Sequence, residues 1–353
     1  MKDILVIRLS AIGDVLLTTP VLARLKKLYG GARIHFLVKE KYADFIAASP
    51  HADDVILWKD GEGIFDVKNK IAALGIRFDL LLDLQSNLKS RMLSLLIPAN
   101  LKRHYRKPYL NRLLLVYLKK NRYTEKKKIS ERYLEAIQDL DAGPLTEKVS
   151  LKRGKLLKPL QRFAEGAILI APGARWATKR WPGEYFVSLA SKILEKHSTK
   201  KIIWLGGPDE KELFDFLAKH PYLVRHTKRM LFLADQLDVP QMAALADAVE
   251  VIVCNDSGLM HLLSAAETPL VALFLSTVEE FGFYPLGKNT EVLAARDIAC
   301  RPCNHKGLPE CPKKHFRCAR ELTADQVYGE VVKHLQIPAK AAADIIQRDS
   351  DPS

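Results

Sequence analysis

The sequence predicts an α/β protein made of two doubly wound halves, and three observations carry that prediction. Short apolar strands alternate with helical patterns along most of the chain, the alternation halts at a polar stretch near the middle, and it then begins again. The third is length: 353 residues exceed one ordinary core and suit two domains. A ligand cleft between the halves is the expected architecture.

The first half opens on the strand Ile4–Ile7, which runs through Arg8-Leu9-Ser10-Ala11-Ile12-Gly13-Asp14 into the periodic run Val15, Thr19, Leu22, Leu25 and Leu28. Pro20 lies inside that run, so one helix kinked at Pro20 is expected. Arg33–Val38 reads as a strand, Tyr42–Ala48 as a helix, Val55–Trp58 as a strand and Val67–Leu74 as a helix. Leu80–Asp83 reads as the next strand and Leu88–Ile97 as the next helix. A basic segment follows, then a helix over Ser130–Leu140. Asp141–Pro159, with Gly143-Pro144, Gly154 and several lysines, is the linker, which divides the chain into domains 1–158 and 159–338.

The second half starts at the strand Ala167–Ile170, followed by a helix over Gly183–Glu195, the strand Lys201–Leu205 and a helix over Asp209–Lys219. Pro240–Ala246 reads as a helix, Val249–Cys254 as a strand, Leu259–Ala266 as a helix and Leu270–Phe274 as a strand. The last helix covers Thr323–Leu335, and Ala339–Ser353 reads as a polar, frayed tail.

An apolar fraction of 48% describes a folded globular chain. No apolar run reaches the roughly 18 residues that span a bilayer, and Met1-Lys2-Asp3 before a short strand does not read as a signal peptide. The expectation is a cytoplasmic protein or one peripheral on the cytoplasmic face of the inner membrane. The net charge of +14 is uneven. Between Asn100 and Lys128, Lys102, Arg103, Arg106, Lys107, Arg112, Lys119, Lys120, Arg122, Lys126, Lys127 and Lys128 stand against Glu125 alone. Tyr105, Tyr109, Tyr117 and Tyr123 are interleaved, with Leu113-Leu114-Leu115-Val116 in the middle. Such a stretch is a solvated face, a nucleic-acid site or a dock for anionic lipid. Its aliphatic centre and tyrosines favour lipid.

Four turns carry candidate chemistry. Asp14 follows the first strand and Gly13, at the place where open α/β sheets hold ligands; it is a helix cap or a general base. Ala171–Pro182 crowds Arg175, Lys179 and Arg180 ahead of a helix, as phosphate binding requires, or else exposes them to solvent. Gly206-Gly207-Pro208-Asp209-Glu210 sets carboxylates past a strand end, where they grip ribose hydroxyls or complement a helix dipole. Asn255-Asp256-Ser257-Gly258-Leu259-Met260-His261 offers a hydroxyl, a close-approach glycine and a histidine one turn in.

Arg8–Pro20 with Gly13-Asp14, the Lys179-Arg180-Trp181-Pro182 loop, and Asp256-Ser257-Gly258 with His261 together resemble glycosyltransferase family 9, the ADP-heptose:lipopolysaccharide heptosyltransferases. The resemblance runs in order from about Lys2 to Leu335. It implies a GT-B architecture, two Rossmann-like domains facing across a cleft, and an inverting transfer from an ADP-sugar with no catalytic cofactor. By the same resemblance Asp14 is the catalytic base, Lys179 meets phosphate, Glu210 the ribose and Leu237 the adenine. Asp256, Ser257, Gly258 and His261 surround the sugar and diphosphate. Ala174-Arg175 stands where some members carry paired threonines, which makes Arg175 a donor contact, and Leu237 replaces a methionine of some relatives. The expected acceptor side is Ser10 and Gly13 with Lys102, Arg103, Arg106, Lys107 and Arg112. The expected partners are an ADP-sugar, a lipopolysaccharide precursor such as Kdo-lipid A or its heptosyl form, and the inner-membrane surface, with no nucleic acid.

One carboxylate fits that chemistry. Glycosidases need two because an alcohol leaving group must be protonated, whereas a nucleoside diphosphate departs as a stable anion and needs only positive charge. A nicotinamide oxidoreductase is excluded by the first turn, which has Gly13 and no G-x-G-x-x-G series. A nucleic-acid-binding protein leaves the anion-ready turns without use. A nucleotide-sugar epimerase of the same architecture, and transfer from another nucleotide sugar, remain the alternatives. Cys300, Cys303, Cys311 and Cys318 form C-x2-C-x7-C-x6-C, the makings of a structural zinc site or of reduced thiols packing a loop-rich segment.

Overall fold

The computed structural model describes residues 1–140, 143–144 and 147–335. The tail expected over Ala339–Ser353 lies outside them, as do Asp141, Ala142, Leu145 and Thr146 of the linker. Two parallel sheets form the frame. The first holds β1 (Asp3–Ile7), β2 (Arg33–Lys39), β3 (Asp54–Trp58), β4 (Phe78–Asp83) and β5 (Ala99–His104) in the order β3-β2-β1-β4-β5. The second holds β6 (Ala167–Ala171), β7 (Lys201–Gly206), β8 (Met230–Ala234), β9 (Val251–Asn255), β10 (Leu270–Leu273) and β11 (Thr290–Leu293) in the order β11-β10-β9-β6-β7-β8. In each, strand order reverses beside the first strand, at β1/β4 and β6/β9. Those crevices at the carboxyl ends are where such sheets bind ligands.

The helices cover both faces. Along the first half they are α1 (Ile12–Leu16), α2 (Thr19–Leu28), α3 (Ala43–Ala47), α4 (Ile64–Ala72), α5 (Leu88–Leu96), α6 (Tyr109–Tyr117) and α7 (Ile129–Leu134). Along the second they are α8 (Lys158–Ala164), α9 (Gly183–Lys196), α10 (Lys211–Lys219), α11 (Pro221–Val224), α12 (Val239–Ala248), α13 (Gly258–Leu263), α14 (Arg317–Arg320) and α15 (Ala324–His334). Side chains alternate across a strand, so Ile4 and Val6 enter the core beneath α2 and α7 while Leu5 and Ile7 enter the one beneath α4 and α5. The central strands are buried on both faces, which explains their unbroken apolar runs.

Two expectations are corrected. The run from Val15 to Leu28 is two helices: the chain turns at Leu17-Thr18, and the Thr18 and Thr19 hydroxyls bond the carbonyls of Val15 (2.6 Å) and Leu16 (2.8 Å). Pro20 lies in the first turn of α2, where its missing N–H costs nothing. Strands β5, β8 and β11 were not foreseen. All three lie at sheet edges, and Ala99-Asn100-Leu101-Lys102-Arg103-His104 and Thr290-Glu291-Val292-Leu293 lack an apolar run because one side of each strand meets solvent.

The basic segment straps the halves together. Leu115 and Val116 of α6 pack on Phe281 from the second half. The Lys119 ammonium donates to the carbonyls of Cys300 (3.0 Å) and Pro302 (2.7 Å), and Lys126 pairs with Glu279 at 2.7 Å. Ile129 N–H donates to Gly282 O (2.8 Å), and Arg132 to Glu280 O (2.8 Å). Lys119, Lys126 and Lys128 thus spend their charge on carbonyls and a carboxylate of the other domain, while Arg103 and Lys127 pair within their own.

Candidate active site

The carboxyl ends of the two sheets face across a cleft of about 510 Å³. Asp14 sits in the first turn of α1. Its carboxylate pairs with the Arg8 guanidinium at 2.6 Å, accepts from the Tyr133 hydroxyl at 3.1 Å and receives the Ala11 N–H at 3.4 Å. Asp14 is the third residue of α1 and not its N-cap, which is Ala11; its carboxylate closes the helix start through the Ala11 N–H and also lines the cavity. Arg8 is buried and fixed in turn, donating to Leu84 O (2.6 Å) and Ser10 O (2.9 Å) and lying over the Tyr133 ring. Tyr133 stands edge-on to Tyr105. Burial alone raises the Asp14 pKa, but Arg8, the Ala11 N–H and the Tyr133 hydroxyl outweigh it and hold the carboxyl below its usual value. Asp14 is therefore an ionised, oriented carboxylate at neutral pH.

Opposite it, α13 begins at Gly258. The two helix starts abut through their glycines: a Cβ on Gly13 would stand 2.6 Å from His261 Cδ2, and one on Gly258 would stand 2.7 Å from Ile12 Cβ. Only glycine permits that approach. Ser257 caps its own helix, its hydroxyl accepting the Met260 N–H at 3.3 Å. His261 is buried with Nδ1 lacking a hydrogen-bond partner. Burial pushes its pKa down to about 4, with Lys179 adding to the effect against Asp256 and Asp14, so the imidazole is neutral.

Lys179 pairs with Asp256 at 2.7 Å, and the Thr277 hydroxyl donates to the same carboxylate oxygen at 2.5 Å. Asn255, at the end of β9, ties this turn to the β6 loop, accepting from Trp181 N (3.3 Å) and donating to Pro172 O (2.6 Å). Arg175 lines the cleft against Trp176. Arg180 turns back to the carbonyls of Ala174 and Arg175, so it shapes the loop and does not face the cavity.

One cavity thus gathers Ser10, Gly13, Asp14, Lys107, Arg112, Arg175, Lys179, Asp256, Ser257, Gly258 and His261. Lys102, Arg103 and Arg106 are not brought to it. They line a separate cavity of about 540 Å³ beside β5, where Arg103 pairs with Asp139 and Lys102 donates to Leu95 O. The reason is the unforeseen strand: β5 carries Lys102 and Arg103 along a sheet edge, and Arg106 follows in the turn just past it. Glu210 and Leu237 also stand outside the cleft lining. Glu210 folds back to accept the Gly207 N–H at 2.8 Å and packs on Gly173, as a helix start predicts; burial raises its pKa. Leu237 packs against the second-half core.

The cysteines do not assemble as a zinc tetrahedron. Among the described residues, no group of three or more His, Cys, Asp or Glu side chains could hold a metal ion. Cys311 and Cys318 are buried, Cys318 within the apolar core, and pack as small apolar groups. Cys300 Sγ lies 3.8 Å from His315 Nε2, and Cys303 Sγ donates to Cys300 O at 3.7 Å.

The sequence reading gave no role to Arg8, Tyr133, Trp176, His305 or Lys306, all of which line the cavity. Arg8 carried a signal: a cation directly after a buried strand needs a partner. Tyr133 and His305 carried none, because only the fold brings them beside Asp14.

Comparison with known proteins gives the family and the fold. A family model described as glycosyltransferase family 9 (heptosyltransferase) matches residues 70–314. Lipooligosaccharide heptosyltransferase 2 of Campylobacter jejuni is 26% identical over 330 residues, spanning 90% of this chain and 93% of its own. Lipopolysaccharide heptosyltransferase 1 of Pseudomonas aeruginosa is 25% identical over 340 residues, 92% of each. Among solved structures, the Escherichia coli ADP-heptose lps heptosyltransferase II superposes with a TM-score of 0.70 at 20% identity, covering 95% of this chain and 98% of that one, so the two share a fold.

Proposed function

The chain belongs to glycosyltransferase family 9, and from that premise we propose that it moves heptose from ADP-heptose to the inner core of lipopolysaccharide, with inversion and with Asp14 as general base. The carrying observation is one fixed, ionised carboxylate facing the Lys179–Asp256 pair across a narrow cleft. The acceptor hydroxyl oxygen attacks the anomeric carbon from the face opposite the nucleotide. Its proton passes to Asp14 as the new C–O bond forms, and the bond to the diphosphate breaks. ADP leaves as an anion beside Lys179 and Arg175.

A carboxylate of lowered pKa suffices, because the attacking oxygen becomes strongly acidic only once bonding to carbon is under way. Arg8 and Tyr133 align that carboxylate at the cost of some basicity. Asp256, shared between Lys179 and Thr277, is the group on the donor side that accepts sugar hydroxyls.

The membrane partner has its own support. Leu88 (77% exposed), Met92, Leu95 (78%) and Leu96 form one face of α5, and Leu110, Leu113 and Tyr117 form one face of α6. Arg91 of α5 and Arg106 of the basic turn before α6 both act on His104, whose pKa burial and those cations lower. Apolar side chains rimmed by cations suit an anionic lipid surface, while no described helix is long and apolar enough to cross a membrane.

The purified chain, incubated with ADP-heptose and a panel of truncated lipopolysaccharide acceptors, is expected to release ADP and to yield one product of increased mass with inverted anomeric configuration by NMR. ADP-heptose converted to a free nucleotide sugar isomer, or a retained configuration, would overturn the reading.

A further inference from the structure

The cysteine-rich segment has no part in the reading above, yet it is anchored to both sides of the cleft. Thr178 N–H donates to Leu308 O (3.2 Å), and Leu308 N–H donates to the Thr178 hydroxyl (2.8 Å). Gly307, at φ +99°, lies against Trp176 so closely that a Cβ would stand 2.7 Å from the Trp176 Cβ. These contacts fasten the segment to the loop that carries Lys179. On the other side Lys119, just past α6 of the first half, grips the carbonyls of Cys300 and Pro302. Between those anchors His305 and Lys306 enter the cavity.

The charges there divide into two classes. Arg8 is answered by Asp14 and Lys179 by Asp256. Lys107, Arg112 and Lys306 line the same cavity without an ion pair among the described residues, and Arg112 Nε is buried without a hydrogen-bond partner. Burial, then Arg8 and Arg112, bring the Lys107 pKa down to about 8, so the fold holds cations against one another. Such an arrangement is costly until an anion arrives. Arg8, Arg112, Asp83 and Asp14, all of the first half, act on Lys107, which places it on the Asp14 side of the cavity.

We infer that Lys107 and Arg112 of the first half and Lys306 of the second, with His305 beside them, form one oxyanion subsite closed by both domains, which takes a carboxylate or phosphate of the acceptor saccharide while its hydroxyl faces Asp14. The acceptor's identity rests on the heptosyltransferase reading; the subsite is tested apart from it by binding. The cysteine-rich segment is then a specificity element of the second domain that reaches across to the acceptor.

The test uses the full chain, its Lys306→Ala and Lys306→Arg variants, and the deacylated, water-soluble saccharide of Kdo-lipid A. Direct binding by calorimetry is expected to weaken about tenfold in Lys306→Ala and to recover in Lys306→Arg, with the ADP Kd within twofold of wild type. In turnover the acceptor KM rises while kcat and the donor KM hold. Saccharides lacking the lipid A phosphates, or with reduced Kdo carboxyls, identify the anion: the form whose binding no longer responds to Lys306→Ala has lost it. Unchanged saccharide affinity in Lys306→Ala, or a weakened ADP Kd instead, overturns the subsite. A wild type that binds the saccharide but transfers nothing overturns the proposed function and leaves the subsite standing; one that binds no saccharide overturns the subsite.

Discussion

Replacing Asp14 with Asn preserves the shape of the side chain and removes its charge from beside Arg8. The guanidinium is 7% exposed and the carboxylate 24%, with 2.6 Å between them. At an effective dielectric constant of about 20, two charges about 4 Å apart attract by roughly 4 kcal/mol. The asparagine oxygen still accepts from Arg8, and solvent reaches the outer edge of the site, so the net loss is about 2 kcal/mol, inside the roughly 1–3 kcal/mol range for a buried polar group left poorly satisfied. For a domain of this size that lowers the thermal midpoint by about 4–8 °C. Asparagine serves at a helix start as well as aspartate does, but the buried ion pair makes the substitution costly. Turnover with ADP-heptose should fall by about 10²–10⁴, the usual worth of a general base. The double change Arg8→Met with Asp14→Asn removes both buried charges but strips the carbonyls of Leu84 and Ser10 of their donor, so it should recover only part of the lost stability and none of the turnover. Calorimetry and an ADP-release assay read both quantities. Turnover of Asp14→Asn within tenfold of wild type refutes the general-base argument, and an unshifted midpoint refutes the ion-pair argument. The pH dependence has a definite sign. Asp14 is depressed in the fold, so its contribution is complete above the unfolded carboxylate value and is lost as pH falls through the folded one. The stability gap between wild type and Asp14→Asn should be flat near neutrality and close in acid.

Other expectations follow from single contacts. Gly258→Ala puts a methyl 2.7 Å from Ile12 Cβ, so it should depress turnover and stability, and Ile12→Ala in the same chain, which keeps that Cβ, should restore little of either. Lys107, at about 8, loses its charge as pH rises, so acceptor kcat/KM should decline through about pH 8 in wild type and stay level in Lys107→Arg. Leu88→Asp with Leu95→Asp should sharply reduce sedimentation with vesicles containing anionic phosphatidylglycerol, while ADP release with a soluble acceptor is unchanged; equal sedimentation would remove α5 from the membrane face.

The interior of each sheet was legible in the sequence because a strand buried on both faces must be apolar throughout, as in Ile4–Ile7 or Val251–Cys254. The edge strands β5 and β11 were not, since half of each faces water; β8, Met230-Leu231-Phe232-Leu233-Ala234, is apolar, and nothing physical concealed it. At the site, the turn after β1 and the loops after β6 and β9 could be read because glycine, carboxylate and cation fall together in short stretches. Partnerships across the chain could not. Arg8 meets Tyr133, Lys119 spends its charge on Cys300 and Pro302, and Lys179 neutralises Asp256. The basic segment shows the difficulty best: composition gives its charge, but only the fold tells which cations are already answered.

The central claim is a division of work, with the proton taken on one side of the cleft and the diphosphate held on the other. Calorimetric titration of ADP into wild type, Asp14→Asn and Lys179→Gln tests it most directly. The account predicts an ADP Kd within twofold of wild type for Asp14→Asn and one weakened about tenfold or more for Lys179→Gln, the worth of one charge-assisted contact. Equal weakening in both variants would place Asp14 on the donor and contradict it.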